Sequence, residues 1–275
     1  MLQVLYPVEM TEEQNPADAE LVRRTLAYRT VSSLLKQRVV RPTDSVLVIG
    51  AGNFDSDMFR LLELERVTLS NLNVNNVSSP AIKLDGGQLS CPDDSYDHVI
   101  TRSTLHHMSR PHRAIHEMYR VCRKSVMFFE SEDTALMRLL LRLKIAQEYE
   151  FNANLRSGGL GGVDDRMIPN YVYRWSRREI EKTVRSLDPT HIPEIRFFKS
   201  WEIETRVRRV LDFWIGDRMY ERRRHAMAGT ISRAANLLFP SQANNLGVVI
   251  LKSMRKRQPW IKVRGGEEVF IHPSR

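Results

Sequence analysis

Short apolar runs separated by helix-prone stretches dominate the first half of the chain. The run 46–49 is apolar and mostly β-branched, which is typical of a strand buried on both faces. Similar runs predict strands over 66–73, 81–85, 96–101 and 125–130. Between them, apolar residues recur at helical spacing over 17–39, 58–64 and 111–121. This alternation predicts an α/β protein with a parallel sheet.

The second half continues with longer helical stretches. Its pattern predicts helices over 131–150 and 201–239, and strands over 192–199 and 247–252. For the helix 131–150 we expect core packing, with a dimer contact or a membrane-surface position as alternatives. Segment 151–174 combines a glycine-rich loop, 158–162, with Tyr171 and Tyr173, and Trp175 follows it. We expect it to be a lid over an acceptor pocket, or a surface loop with structural aromatics.

A Gly-x-Gly turn follows the first strand, and the other elements are organised around it. Gly50 and Gly52 allow the backbone to approach a ligand closely, which indicates a nucleotide-type cofactor site. A dinucleotide fingerprint requires a third glycine, but Phe54 holds that position and Asp55 and Asp57 follow. Two carboxylates disfavour a pyrophosphate and tolerate S-adenosylmethionine, a sulfonium. Both could instead cap the helix.

Polar residues stand where the next strands end. Asn71 and Asn73 lie 19 and 21 residues after Gly52, where a ribose-binding side chain is expected. We expect one of them to bind ribose hydroxyls, and the sequence leaves open which. Asp85 ends the third strand and could accept a hydrogen bond from an adenine amino group. Asp97 begins its strand at the opposite edge of the sheet, so we expect a structural role.

Composition and charge narrow the function classes. The two cysteines, Cys91 and Cys122, form no CxxC pair, so the sequence predicts neither a disulfide framework nor a zinc site. His112 and His116 have i, i+4 spacing but no clear third ligand, and we predict no metal. With no signal peptide and no membrane-spanning run, the prediction is a cytoplasmic protein. Residues 1–150 carry a net charge of −2 and residues 151–275 a net charge of +11, which indicates an acidic partner or solvated helix faces.

These motifs, in this order, resemble class I S-adenosylmethionine-dependent methyltransferases, and in particular the branch that includes ubiquinone- and menaquinone-biosynthesis enzymes. The resemblance is carried by Gly50-x-Gly52, by Asp85 with Leu89, by the strand 96–100 and by 105–107, Leu-His-His. It covers residues 44–132 well and continues weakly through 175–180. The strings 137–139 and 168–175 also resemble uncharacterised bacterial relatives associated with small-molecule or sugar modification.

The resemblance implies a Rossmann-like seven-stranded sheet with helices on both faces and a reversed last strand, with helical insertions after strands five and six. The implied domain plan is a helical cap, 1–43, a cofactor-binding core, 44–132, an acceptor side, 133–245, and a last strand with a basic tail, 246–275. The implied cofactor is S-adenosylmethionine. The cofactor-binding residues predicted on this basis are Gly50, Ala51, Gly52, Asn71 or Asn73, Asp85 and Gly86.

The predicted reaction is methyl transfer to a small-molecule acceptor, at a hydroxyl oxygen of a sugar, phenol or quinone-like compound. A hydroxyl benefits from a general base. The candidates are His107 first, then His106 and Glu130, because all three leave the sheet at its ligand edge. Arg102 or Arg174 could hold an anionic acceptor through a forked contact.

Two other functions stay open from the sequence. The basic second half is compatible with an RNA methyltransferase that follows phosphates, although no RNA-binding motif is recognisable. The departures from the glycine pattern, Val48, Phe54 and the asparagines in place of a ribose carboxylate, are compatible with a non-catalytic cofactor-binding or assembly protein. A homo-oligomer is compatible with all three.

Overall fold

The computed structural model describes residues 16–151, 161–202 and 221–271. Its helices are α1 (Pro16–Arg24), α2 (Leu26–Lys36), α3 (Asn53–Leu61), α4 (Pro111–Val121), α5 (Ala135–Arg142), α6 (Arg177–Arg185) and α7 (Glu221–Leu238). Its strands are β1 (Ser45–Ile49), β2 (Arg66–Asn71), β3 (Ile82–Lys83), β4 (Tyr96–Arg102), β5 (Cys122–Ser131), β6 (His191–Ser200), β7 (Asn245–Arg257), β8 (Ile261–Arg264) and β9 (Glu267–Phe270).

Seven strands form one sheet in the order β3-β2-β1-β4-β5-β7-β6. The pairs among β1 to β5 are parallel, whereas β7 runs antiparallel to both of its neighbours, β5 and β6. This confirms the predicted Rossmann-like α/β sheet with a reversed last strand. Strand order reverses between β1 and β4, and ligands of open α/β sheets bind at the carboxyl edge beside such a point.

The central strand β1 shows why the sheet is covered on both faces. All five of its residues are buried. Because successive side chains point to opposite faces, Val46 and Val48 join a core cluster with helices α2 and α3. Leu47 and Ile49 join a second cluster with α4 and α6. The continuous apolar run in the sequence therefore reflects two separate cores, and α2 is an outer-layer helix of the first.

Several helix bounds differ from the sequence prediction for local reasons. The single helix predicted over 17–39 is two helices, because Thr25 has extended backbone angles and its hydroxyl caps α2 by accepting from the Tyr28 amide. Helix α3 begins at Asn53, five residues earlier than predicted, so Asp55 lies in its first turn. The helix predicted over 131–150 ends at Arg142, and the chain then turns back toward the sheet.

The C-terminal part contains more strand than the sequence predicted. Strand β7 extends to Arg257, and β8 and β9 form a separate antiparallel hairpin in what was predicted to be a basic tail. Much of the helix predicted over 201–239 lies outside the described residues, as do residues 158–160 of the glycine loop. The helices that the structure describes include none with the length and apolarity needed to cross a bilayer.

The amino edge of the sheet carries a buried ionic network. Asp97 accepts from the backbone amide and the hydroxyl of Ser45 and pairs with Arg123 at 3.2 Å. Burial opposes ionisation of Asp97, but the Arg123 and Ser45 contacts outweigh it and hold the pKa of this carboxyl well below its usual range. Asp97 lies at the edge of the sheet opposite the ligand edge. Its contacts link β4 to β1 and β5, which supports its predicted structural role.

Candidate functional site

A cavity of about 400 Å³ lies at the carboxyl ends of β1, β2 and β4. Its size is that of a typical small-molecule site. Of the ten residues predicted to act in catalysis or cofactor binding, the structure brings seven together on its wall: Gly50, Gly52, Asn71, Asp85, Gly86, His106 and His107. Ala51, Asn73 and Glu130 are not part of that wall.

The two glycines of the turn have different structural reasons to be glycine. Gly50 has a φ of +66°, and a Cβ on it would lie 2.1 Å from Cγ2 of Thr104. Both the backbone angle and the close approach therefore require glycine. Gly52 has extended backbone, and a Cβ there would meet only the Asp55 carboxylate at 3.8 Å. Its side of the turn faces the cavity, so its missing Cβ leaves room for a ligand.

Asp55 and Arg102 form an ion pair on the cavity wall. Asp55 Oδ2 accepts from the Gly52 amide at 2.9 Å, and Oδ1 lies 3.1 Å from Arg102 Nε. The guanidinium of Arg102 stacks 4.0 Å above the ring centroid of Phe54. The residue at the third-glycine position thus supports the arginine. Asp57 pairs instead with Arg60 on the outer side of α3.

The structure separates the two asparagines after β2. Asn71 lies on the cavity wall, where its amide nitrogen donates to the carbonyl of Ala51 at 2.8 Å. Asn73 caps the short helix Val74–Asn76 by accepting from the Asn75 amide. Ala51 is fully buried and contributes its backbone rather than its side chain to this arrangement. Asn71 is therefore the better placed of the two for a ribose.

Asp85 and Gly86 form the wall beyond β3. Asp85 is exposed, and its Oδ1 accepts from the Gly87 amide at 2.8 Å, which fixes the carboxylate at the cavity rim. A Cβ on Gly86 would lie 2.4 Å from Cε of Met108 and 2.8 Å from Cγ2 of Ile49. Glycine is thus required at 86 for close packing against the segment that follows β4.

Glu130 lies beneath the cavity and shapes its floor. Its Oε1 accepts from the amides of Thr104 and Leu105 at 2.8 and 2.7 Å, and its Oε2 lies 2.7 Å from His106 Nδ1. The carboxylate is about 1 % exposed. It therefore positions the turn after β4 and the His106 ring rather than contacting a ligand.

His106 and His107 both direct Nε2 toward Glu150. Each Nε2 lies 3.5 Å from Glu150 Oε2, and the two ring centroids are 4.5 Å apart. Nδ1 of His107 lies 2.5 Å from the side-chain amide of Asn170, which is fully buried. Thus four side chains from three distant stretches of sequence converge at one end of the cavity.

The electrostatics of the two imidazoles differ. Burial opposes protonation of His106, but the carboxylates of Glu130 and Glu150 outweigh it and raise its pKa to about 10. Burial and the neighbouring charge on His106 lower the pKa of His107. The ligand-free protein therefore holds a charged imidazole next to a neutral one near neutral pH.

The described part of the insertion covers one side of the cavity. Gly161, Gly162, Asp164 and Asp165 belong to the wall, and Asp164 accepts from the Ser109 amide at 2.9 Å. Its aromatic residues lie elsewhere. Trp175 is fully buried against Phe128 in the second core, and Tyr173 packs on Trp175.

Arg174 also lies away from the cavity. Its guanidinium donates to the carbonyls of Val172 and Gln147, so it holds backbone and is not placed to bind an acceptor. Arg102, the other arginine proposed for that role, is on the wall.

Sequence reasoning did not identify Glu150 and Asn170. Glu150 was assigned to the end of a long helix, and Asn170 to a loop. The apolar spacing continues past Arg142 with Leu143, Ile145 and Ala146, so it gave no signal that the helix ends there. Nothing local indicates that either side chain returns to the sheet edge, because the contacts span 43 to 63 residues of sequence.

Comparison with protein families finds a methyltransferase family model that matches the part of the chain that forms this cavity. Residues 50–129, the stretch from the glycine turn to the end of β5, match the family model described as a methyltransferase domain. This stretch of the chain is therefore similar to a methyltransferase domain. A comparison of the chain with curated proteins found no match. The branch within the methyltransferases stays a prediction, because the family model describes the domain in general.

Several solved structures of methyltransferases align with most of the chain at low sequence identity. A SAM-dependent methyltransferase from Archaeoglobus fulgidus is 14% identical, with 85% of this chain and 97% of that chain covered and a TM-score of 0.47. Magnesium protoporphyrin IX methyltransferase from Synechocystis, with bound SAH, is 12% identical over 88% and 90%, with a TM-score of 0.47. A SAM-dependent methyltransferase from Methanosarcina mazei is 14% identical over 79% and 95%, with a TM-score of 0.45.

The cavity fits S-adenosylmethionine, the cofactor that the sequence resemblance implies. At Gly52 a Cβ would meet only the Asp55 carboxylate at 3.8 Å, so the missing side chain leaves room for a ligand along the turn. The ion pair of Asp55 and Arg102 offers one charge of each sign, and the amino-acid end of the cofactor is a zwitterion. Asn71 and Asp85 supply hydrogen-bonding groups at the strand ends where a nucleoside binds.

Proposed function

We propose that this methyltransferase acts on a hydroxyl oxygen of a neutral small molecule. The observation that carries the proposal is the position of His107 and Glu150. Both line the same cavity as the predicted cofactor-binding residues, and their facing atoms lie 3.5 Å apart. A hydroxyl must lose its proton during methyl transfer, so a proton acceptor beside the cofactor is a specific advantage for such an acceptor.

The charge of the cavity wall supports a neutral acceptor. The described wall carries five carboxylates, Asp55, Asp85, Glu150, Asp164 and Asp165, against two cationic groups, the imidazole of His106 and the guanidinium of Arg102, which is already paired with Asp55. An anionic acceptor would be repelled here. The negative charge of the wall also disfavours the phosphate backbone of a nucleic acid near the reacting centre. Residues 151–275 carry a net charge of +11, but the described wall does not share it.

In this proposal each residue of the wall has a separate role in binding the cofactor or the acceptor. Asp55 and Arg102 hold the two charged groups at the amino-acid end of the cofactor, while Asn71 and Asp85 hold its nucleoside. When bound, S-adenosylmethionine supplies an electrophilic methyl group. The wall aligns the acceptor oxygen with that group, which is the main contribution of an enzyme to a direct displacement.

His107 Nε2 receives the hydroxyl proton, and Glu150 stabilises the imidazolium that results. For this role the proton of neutral His107 must reside on Nδ1. Asn170 can accept it when its amide is turned by 180°, so that Oδ1 replaces Nδ2 at the 2.5 Å contact. In the orientation that the structure shows, Nδ2 of Asn170 donates to the carbonyl of Gly161 at 3.2 Å. Glu130 and His106 form the floor that keeps His107 in place.

The test is a radiolabel-transfer screen with methyl-labelled cofactor. Neutral sugars, phenols and quinols are compared with their phosphorylated or carboxylated counterparts and with RNA. The proposal predicts methyl ether formation on a neutral hydroxyl compound and a rate lowered at least tenfold by His107→Gln. The matched control is His116→Gln, on the exposed face of α4. Salt-sensitive labelling of RNA alone, or labelling only of amines, would contradict the proposal.

A further inference from the structure

The cluster of His106, His107 and Glu150 has the composition of a metal-binding site. Each residue offers one ligand atom, and all these atoms lie within 4.8 Å of one another. Two imidazole nitrogens and one carboxylate oxygen are a common donor set for divalent transition metals. In the part of the chain that the structure describes, this is the only such group of three. His112 and His116, the pair considered from the sequence, are not part of it.

We propose that His106 Nε2, His107 Nε2 and Glu150 Oε2 bind a divalent first-row transition metal ion of the zinc type. This departs from the sequence prediction of no metal. The ion's binding rests on the geometry of the three side chains alone. Its role in the reaction rests on the proposed function.

The interatomic distances match a coordination polyhedron. Two ligands at about 2.0–2.1 Å from one ion at a tetrahedral angle lie about 3.3–3.4 Å apart. The distances from Glu150 Oε2 to the two Nε2 atoms are both 3.5 Å. All three atoms lie within 4.8 Å of one another, so side-chain adjustments of a few tenths of an ångström would bring them to coordination distance of one ion.

His106 provides a second observation that points to a ligand. The residue is about 7 % exposed, and its Nε2 is buried, faces Glu150 Oε2 at 3.5 Å and has no contact with the described residues that meets hydrogen-bond geometry. A buried polar atom without a hydrogen bond is costly. An ion at the cluster would give this nitrogen a partner. It would also offset part of the negative charge of the cavity wall.

The group behind His106 is arranged as in known metal sites. Metal-binding histidines usually donate their other ring nitrogen to a carboxylate or carbonyl oxygen. Nδ1 of His106 lies 2.7 Å from Glu130 Oε2, and both groups are almost completely buried. Nδ1 of His107 lies 2.5 Å from the Asn170 amide.

The position of the cluster defines what the ion would do. Three protein ligands leave a coordination position open, as in catalytic zinc sites. Because His107 and Glu150 lie on the cavity wall, that position can hold the acceptor oxygen. A bound ion lowers the pKa of such an oxygen and so promotes loss of its proton. His107 would then act as a ligand, and the ion would replace it as the group that activates the hydroxyl.

The test titrates the full-length, metal-free protein with Zn²⁺ against a chromogenic chelator, and with Co²⁺ by visible absorption. We expect one ion per chain, and d–d bands typical of a site with mixed nitrogen and oxygen ligands. Glu150→Gln and His107→Gln should each weaken Zn²⁺ binding at least tenfold, and Glu130→Gln by about 10–100-fold. Circular dichroism establishes that each variant is folded. The matched control, His112→Gln with His116→Gln, should leave the affinity unchanged.

Two results would overturn the metal site. One is no stoichiometric Zn²⁺ binding by the folded parent. The other is binding that survives Glu150→Gln and His107→Gln but is lost in the His112/His116 control. Neither would affect the proposed function, which His107 can serve as a base. If Zn²⁺ binds as proposed, removing it should lower methyl transfer without lowering S-adenosylhomocysteine affinity.

Discussion

The carboxylate of Glu130 lies 2.7 Å from Nδ1 of His106, and neither group is more than about 5 % exposed. The other oxygen of Glu130 accepts from two consecutive backbone amides, those of Thr104 and Leu105. One buried side chain at the end of β5 thus fixes the turn after β4, the ring of His106 and, through that ring, the position of His107. The floor of the cavity depends on this contact.

Glu130→Gln should therefore lower stability as well as disturb the site. The amide can still accept from Thr104 and Leu105, but it cannot balance the charge of a protonated His106. We expect the free energy of unfolding to fall by about 1–3 kcal/mol, the cost of an imperfectly paired buried polar group. Urea denaturation at pH 7 measures this. A variant as stable as the parent would show that Glu130 does not organise the turn.

The two glycines of the turn provide a matched pair of substitutions. Gly50→Ala forces an L residue to a φ of +66° and pushes a Cβ to 2.1 Å from Thr104, so it should destabilise the protein by about 1–3 kcal/mol. Gly52→Ala meets only the Asp55 carboxylate at 3.8 Å and should leave the stability nearly unchanged. It should instead weaken S-adenosylhomocysteine binding, because its Cβ enters the cavity. Thermal unfolding and calorimetry separate the two effects, and equal stability losses would contradict this reading.

Arg102 should recognise the amino-acid end of the cofactor. Arg102→Met is expected to weaken S-adenosylhomocysteine binding at least tenfold, since it removes the guanidinium over Phe54 and leaves Asp55 without its partner. Binding of 5′-methylthioadenosine, which lacks the amino-acid end, should be much less affected. Arg60→Met is the control, because Arg60 pairs with Asp57 on the outer side of the same helix. Equal losses for both ligands would assign Arg102 a structural role only.

Asp97 should make the stability dependent on pH in the acid range. Its pKa in the folded protein is held well below the ordinary value of 3.8, mainly by Arg123 and Ser45 acting against burial. The ionised group therefore contributes stability above its unfolded pKa, and the contribution is lost as the pH falls from about 4 toward 2. Asp97→Asn should flatten this loss. The control is Asp93→Asn, whose carboxylate is 72% exposed, and it should keep the steep dependence.

The strand pattern of the core could be predicted from the sequence because every central strand is buried on both faces. The run 46–49 contains no polar residue, since α2 and α3 cover one face and α4 and α6 the other. The break at Thr25 was missed, because the apolar spacing continues across it into α2. Only the capping geometry of its hydroxyl separates the two helices.

The cofactor side of the site follows from local sequence, and the acceptor side does not. Gly50, Asn71 and Asp85 stand at fixed distances from strand ends, so the fold brings them together whatever the loops do. Glu150 and Asn170 reach the cavity through an irregular insertion whose path no periodicity encodes. Phe54 appeared to be a departure from the glycine pattern, and only the structure shows that it supports Arg102.

The central claim is that this cavity binds the cofactor, and calorimetric titration with S-adenosylhomocysteine tests it most directly. The parent should bind one equivalent, and Asp85→Ala, at the cavity rim, should bind at least tenfold more weakly. Asp57→Ala, on the outer side of α3, should bind as the parent does. Absence of binding by the folded parent, or an equal loss in both variants, would contradict the placement of S-adenosylmethionine at the carboxyl edge of this sheet.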